Sequence, residues 1–450
     1  MLVYGDHSRR ECPAEKLTNL VRALAEVEAM RPGLPRHAAL VSLLVEAGEL
    51  VQGLLDAAFA ERRWDDTSEP GEACARVMLA LGRAVVSSWT GRFERRGPPV
   101  LPALQALRTR ALPPEVVCKV PEGYAFYALY PEACLEAARR LPAGGGEVRV
   151  IGIRSIGTSL GGVVAAAVGA EAPFFVRPVG PAFRRTLALS EALEGRLLAD
   201  AARHRFAVVD EGPGLSGSSF GAVADLLEAR GVPSERLCFL PGHLGPLGPQ
   251  ASERHRARWE RASCHVVDFE SLLLRPCERA HSLVAWVEDV TGPAEGPPED
   301  VGGGAWRRLL LREEDWPAVH VQQERRKLLL RAGGRRWLLK FAGLGAYGER
   351  RLARARSLQE AGFTPPVAGL RHGFLVQPWL EGARPLARPR GGERGALVHR
   401  VGEYLGFRAR HFPVREPERG ASLRQLLGMA RRNISLGLGA GQAEALDVWE

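Results

Sequence analysis

The densest set of groups able to do chemistry lies in VVDEGPGLSGSSF, Val208 to Phe220. An apolar run ends in two carboxylates, Asp210 and Glu211, and passes into a loop containing Gly212, Gly214, Ser216, Gly217, Ser218 and Ser219. Glycines let backbone N–H groups converge, serine hydroxyls add donors, and a following helix N-terminus adds partial positive charge; together these hold a phosphate. The carboxylates would repel a phosphate, but they suit sugar hydroxyls or a divalent cation. A phosphorylated ribose satisfies both halves of the segment. The loop opens FGAVADLLEAR, where Phe220, Val223, Leu226 and Leu227 share one helical face.

A second loop, Arg154-Ser155-Ile156-Gly157-Thr158-Ser159, sits between an apolar run and a helix of small residues in RVIGIRSIGTSLGGVVAAAVG, Arg149 to Gly169. It matches neither GxGxxG nor GxxxxGK[ST]. Both loops need a frame that carries them on neighbouring strands. Val148 to Ile153, Phe174 to Val176, Phe206 to Val209, Leu237 to Leu240 and Cys264 to Phe269 read as strands. Helical patterns over Gly161 to Gly169, Ser190 to Arg203, Phe220 to Arg230 and Ser252 to Arg261 separate them. Strand and helix in alternation predict an α/β fold with a doubly wound parallel sheet, whose ligands bind beyond the carboxyl ends of the strands.

The pair of loops resembles the type I phosphoribosyltransferases over about residues 120 to 275. In that family an apolar strand, two acidic residues and a Thr-Gly-x-Thr-like phosphate loop open a helix. Ser216-Gly217-Ser218-Ser219 takes the place of that loop, and Asp210-Glu211 is the acidic pair. Counted back from Ser216 the acids lie one position early: either Glu211 is the first acid and Gly212 replaces the second, or the loop is one residue longer. The resemblance implies binding of phosphoribosyl pyrophosphate with Mg²⁺, the cation held by Asp210 and Glu211, and transfer of phosphoribose to a small-molecule acceptor. It implies phosphate or pyrophosphate contacts from Gly214, Ser216, Gly217, Ser218 and Ser219 in one loop. Arg154, Ser155, Gly157, Thr158 and Ser159 would serve in the other. The family's mobile basic loop would fall in FFVRPVGPAFRRT, with Arg177, Arg184 and Arg185. Tyr124, Tyr127 and Tyr130, and His243 in LPGHLGPLGPQ, fall where a hood could choose the nucleophile; core packing is the alternative for the tyrosines and a solvated loop for the histidine. A sensor that binds without turnover is the alternative to an enzyme.

Arg325 to Gly382 resembles the small lobe of the aminoglycoside-phosphotransferase type of kinase fold, with Lys340 as the strand lysine, Glu349 as its helix partner, and a nucleotide as its ligand. Only Asp447 follows Asp315, so the catalytic aspartates of such kinases have no counterpart and kinase activity is not expected.

The rest of the chain frames these elements. Leu40, Leu43, Leu44, Ala47, Leu50, Val51 and Leu54 make one helical stripe, Leu17 to Val27 a shorter one, and Glu72 to Trp89 a third helix. Asp65 and Asp66 fall between helices, where paired carboxylates could bind a metal, but nothing nearby completes an oxygen-ligand set and a solvated turn is the expectation. TGPAEGPPEDVGGG, Thr291 to Gly304, has linker composition. The resulting division is a helical domain over 1–112, a phosphoribosyltransferase-like domain over 113–290, a linker over 291–304 and an α+β kinase-like lobe over 305–450. A homo-oligomer is compatible with this reading.

Of the 61 basic residues only Lys16, Lys119, Lys327 and Lys340 are lysines. A formal charge of +9 carried by diffuse arginine, without interleaved aromatics or a zinc or helix-turn-helix signature, argues against a nucleic-acid partner. Seven scattered cysteines with no CxxC pair argue for reduced thiols. No apolar run approaches the roughly 20 residues needed to span a bilayer, and Asp6, Arg9, Arg10 and Glu11 break any signal-like start. A cytoplasmic location without a membrane partner is the expectation.

Overall fold

Residues 8–142, 146–321, 324–383, 393–413 and 422–449 are described by the computed structural model. The chain opens with strand β1 (Ser8–Glu11) and helices α1 (Pro13–Ala29), α2 (Leu34–Arg62), α3 (Glu69–Thr90) and α4 (Leu101–Arg108). Proline stands in the first turn of each of these helices, where its missing N–H leaves no bond unmade. The Ser68 hydroxyl also caps α3 by accepting from Gly71 N–H. Strand β2 (Val116–Lys119) pairs with β1, and a π-turn over Gly123–Tyr127 leads to α5 (Pro131–Arg139).

The parallel sheet follows: β3 (Glu147–Ile153), α6 (Gly157–Ala167), β4 (Phe174–Val176), α7 (Glu191–Leu198), β5 (His204–Asp210), α8 (Ser218–Ala229), β6 (Leu237–Pro241), α9 (Glu253–Arg261) and β7 (Ser263–Cys264). Its five strands run β4-β3-β5-β6-β7, all parallel, so the mixed α/β class with a parallel sheet expected from the alternation is present. Successive side chains point to opposite faces of a strand. Val150, Ala207, Val209, Cys238 and Leu240 therefore enter one core with α6 and the N-terminal helices. Ile151, Ile153, Phe206, Val208 and Phe239 enter a second core with α7 and α8. Two buried faces explain why these strands read as continuous apolar runs. The last strand is shorter than the sequence suggests. Asp268 accepts from Ser271 N–H at 2.7 Å and starts a π-turn over Glu270–Leu274.

Helices α3 and α6 meet at backbone contact. A Cβ on Gly82 would lie 2.3 Å from the Gly162 carbonyl oxygen, and one on Gly162 would lie 2.6 Å from that of Met78. Glycine is required there by space.

Helix α10 (Leu283–Thr291) leads into the Gly/Pro-rich stretch. Ala294 bridges Ala332, and β8 (Glu299–Asp300) forms the edge of an antiparallel sheet. After α11 (Arg307–Leu310) that sheet continues with β9 (Lys327–Ala332), β10 (Arg335–Phe341), β11 (Gly369–Arg371) and β12 (Phe374–Pro378) in the order β11-β12-β10-β9-β8. Helix α12 (Ala346–Glu360) lies between β10 and β11 in sequence. Leu328, Trp337, Phe341 and Phe374 share the core formed by the N-terminal helices and one face of the parallel sheet. Ser8–Glu381 is accordingly one compact unit. The other unit, Met1–His7 with Gly382–Glu450, contains α13 (Glu393–His411) and α14 (Leu423–Leu438), the latter closed at its start by a Ser422–Gln425 capping box.

One helix corrects the expectation about apolar length. Leu34–Arg62 is long and apolar enough to cross a membrane by length and composition, but 72 % of its most apolar window is buried inside the protein, as the central helix of the core.

Candidate functional site

Asp210 ends β5 opposite Pro241 of β6, so both acids stand at the carboxyl edge of the parallel sheet. Asp210 Oδ1 accepts from Glu211 N–H at 2.8 Å, and the Glu211 carbonyl accepts from Gly242 N–H at 2.8 Å, which ties together the loops after β5 and β6. The Glu211 carboxylate faces the π-turn and accepts from Gly123 N–H. Burial pushes the Asp210 carboxyl up to about 7, against the opposing pull of its bond to Glu211 N–H and the charges of Arg177 and Arg185. Burial, then repulsion from Asp210 and Glu122, pushes Glu211 up to about 8. Three carboxylates converging on one edge, with two held against their own charge, are a site that gains from a cation. The pair fits Mg²⁺ by this donor chemistry. Asp210 and Glu211 would hold such an ion, which would relieve the repulsion between their carboxylates.

The loop beyond the acids is shaped by glycine. Gly214 and Gly217 both adopt left-handed backbone conformations, φ +58° and +64°, and Gly217 immediately precedes α8. Ser216 and Ser218 hydroxyls lie 2.9 Å apart, and Ser218 N–H donates to Ser216 Oγ at 3.2 Å. Ser218 is fully buried, its hydroxyl donating to the Ala182 carbonyl at 2.5 Å; Ser219 is half-buried and Gly214 exposed. The Ala182 contact places the loop after β4, closed by paired bonds between Val179 and Thr186, against the serine loop. Arg184 on it is exposed and Arg185 half-buried.

The first loop is placed beside this edge, since β3 and β5 are neighbours, but its arginine is committed inward. Arg154 is buried. Its Nε donates to Asp56 Oδ1 at 2.9 Å, Nη2 lies 2.7 Å from Asp65 Oδ1, and Nη1 donates to the Phe175 carbonyl at 3.2 Å. Arg177 donates to the same Asp56 through Nε at 2.9 Å and also through Nη2, and to the Arg154 carbonyl at 2.9 Å. Asp65 is thus no solvated turn residue: it is 7 % exposed, and it accepts from Arg177 N–H at 2.7 Å. Asp66 accepts from the Ser190 hydroxyl at 2.5 Å. The Arg154–Ser155 peptide is cis. Gly157 allows the loop to press on β5, since a Cβ there would lie 2.5 Å from the Val209 carbonyl oxygen. Ser155 is half-buried. The Thr158 hydroxyl is buried without a protein partner, and Ser159 Oγ lies 2.9 Å from the Tyr124 hydroxyl.

That contact, with a fully buried ring, makes Tyr124 a packing residue. Tyr130 is equally buried and donates to the His372 carbonyl at 2.8 Å. Tyr127 differs: it is 52 % exposed and donates to Glu122 Oε2 at 3.4 Å, next to the acids. His243 is likewise drawn in. A Cβ on Gly212 would lie 2.4 Å from His243 Nε2, while His243 Nδ1 accepts from Gly245 N–H at 3.0 Å. Burial lowers its pKa, so at neutral pH the imidazole is uncharged with its proton on Nε2, beside the acidic loop. Nothing in a lone loop histidine announces this, although Gly212 directly after two acids is the trace of the close approach.

In the antiparallel sheet Lys340 pairs in register with Leu375 and Lys327. Burial, then repulsion from Lys327, lowers its pKa against the attraction of Glu324. Glu349 is exposed in the first turn of α12, and among the described residues it forms no ion pair with Lys340. A cleft lies elsewhere again, between α2, α3 and β4, lined by Phe59, Trp64, Phe174 and Arg196. It does not reach Asp210 or Glu211, although Asp65 and Arg154 line it. The chain matches no family model, no curated protein and no solved structure.

Proposed function

We propose that the carboxyl edge of the parallel sheet binds phosphoribosyl pyrophosphate with Mg²⁺ and transfers phosphoribose to a small-molecule acceptor, in a cytoplasmic protein of the type I phosphoribosyltransferase kind. One observation carries this reading. Asp210 and Glu211 end a central strand and run directly into a glycine-shaped serine loop at the start of α8, so cation-binding and phosphate-binding groups are adjacent. The diphosphate would meet the serine loop, with Arg184 and Arg185 approaching from the loop after β4. Such a site works by alignment and charge stabilisation more than by covalent steps. Free thiols at all seven cysteines fit the cytoplasmic location.

The second reading, binding without turnover, is favoured by a specific feature: Arg154 and Arg177 are both spent on Asp56. The kinase-like segment is read as a binding or packing element, because Lys340 and Glu349 are unpaired with each other. Calorimetry with phosphoribosyl pyrophosphate and Mg²⁺ tests binding, and pyrophosphate release in the presence of pooled metabolites tests turnover. Binding lost in the Asp210→Asn, Glu211→Gln double variant supports the site; affinity unchanged in that variant refutes it.

A further inference from the structure

We propose that His37, Glu132 and His372 form a structural Zn²⁺ centre that fastens α2, α5 and the β11–β12 hairpin together. The three residues are far apart in sequence and all are buried. His37 Nε2 and His372 Nε2 each lie 2.8 Å from Glu132 Oε1, and the three ligand atoms fall within 4.8 Å of one another. Two imidazoles and a carboxylate are a recurrent zinc donor set, and nitrogen donors exclude Mg²⁺ and Ca²⁺ as the natural occupant.

Two further observations point to a cation. Glu132 Oε2 is buried with no hydrogen-bond partner, an expensive state for a carboxylate oxygen. Bidentate coordination by Glu132 would use that atom and bring the set to four donors. His37 Nδ1 lies 3.1 Å from Ser88 Oγ, the outer hydrogen bond that orients a ligating imidazole and leaves Nε2 for the metal.

The backbone is arranged to deliver the third ligand. His372 has φ +38°, a left-handed conformation that a residue with a Cβ rarely adopts, and its carbonyl is held by the Tyr130 hydroxyl. The site is closed to solvent, so the metal would enter during folding.

The test uses the full chain and metal alone. Protein expressed with added Zn²⁺ and dialysed against chelator is analysed for metal content; a second sample is unfolded, stripped and refolded with Co²⁺. About one Zn²⁺ per chain is expected, as is tetrahedral Co²⁺ absorption without a thiolate charge-transfer band. The melting temperature should fall when refolding is done in chelator. Less than about a tenth of an equivalent of zinc together with no tetrahedral cobalt spectrum overturns the proposal. So does a thiolate band, which would put the metal on cysteine. A His37→Gln variant that folds should lose the bound metal; full retention there is equally fatal. None of these readouts depends on phosphoribosyl pyrophosphate.

Discussion

Arg154, with no exposed side-chain surface, donates through Nε to Asp56 Oδ1 at 2.9 Å, joining the loop after β3 to the last turns of α2. Arg177 holds the other side of the same carboxylate. Burial alone would raise the Asp56 pKa, yet the Arg177 and Arg154 charges together hold it below the usual carboxylate range. Removing one partner of a buried pair leaves the other charge desolvated. Asp56→Ala should therefore cost about 3 kcal/mol of unfolding free energy, the lower end of that range because Asp65 remains beside Arg154. Chemical denaturation checks it. A cost below about 0.5 kcal/mol, typical of an exposed pair, would show that the two arginines are free to meet a ligand.

The acidic pair gives a pH prediction of definite sign. Asp210 and Glu211 have folded pKa values of about 7 and about 8, above those of the unfolded chain. The folded state binds their protons more tightly, so the stability they contribute is complete below about pH 4 and is lost as pH rises through 7 to 8. Asn and Gln mimic the protonated forms. In metal-free buffer the Asp210→Asn, Glu211→Gln variant should gain on the parent chain by about 1 to 3 kcal/mol between pH 5 and pH 8, a figure reduced for the half-buried position of both groups. Urea denaturation at the two pH values measures the gap. A gap that does not change with pH contradicts the assigned desolvation.

The antiparallel sheet supplies a third test. Lys340 is partly buried next to Lys327 without a direct ion-pair partner among the described residues, while Glu349 is exposed. Lys340→Met should leave stability unchanged or raise it by up to about 1 kcal/mol, since an apolar side chain of similar length removes a desolvated charge. Glu349→Gln should change it by less than about 0.5 kcal/mol. If a Lys340–Glu349 pair held the sheet to α12, both substitutions would destabilise, and the double variant would show coupling in a thermal-melt cycle.

Local patterns carried much of the fold into the sequence. The stripe from Leu40 to Leu54 lies inside α2, and four of the five strand cores fall where apolar runs end in loops, because period and turn chemistry are local properties. The acids at 210 and 211 were legible for the same reason. What stayed hidden depends on pairs distant in sequence. Asp65 looks like half of a hydrophilic turn until Arg154 is brought to it across 89 positions. His372 stands alone in the sequence, and only the fold brings Glu132 and His37 to its ring. The apolar length of α2 was masked by its scattered polar residues, among them His37, Glu46, Glu49 and Asp56, which find partners in other elements; Glu49, for example, meets Arg9 and Tyr347.

The α3–α6 crossing is a backbone-to-backbone contact, and it bears on the site because α6 begins at Gly157 in the first loop. A methyl group on Gly162 would stand 2.6 Å from the Met78 carbonyl oxygen, and one on Gly82 2.3 Å from that of Gly162. Backbone cannot yield as a flexible side chain can, so either helix must move. Gly162→Ala should destabilise by about 1 to 3 kcal/mol despite alanine's better helix propensity, worth about 1 kcal/mol in the opposite direction. Gly195 lies in α7, where an added methyl group would meet nothing within 4 Å, and it is the control: Gly195→Ala should stabilise by up to about 1 kcal/mol. Opposite signs in the two melts confirm the close crossing. Stabilisation by both would mean that the helices are further apart, and that the first loop is not held at its present height above β5.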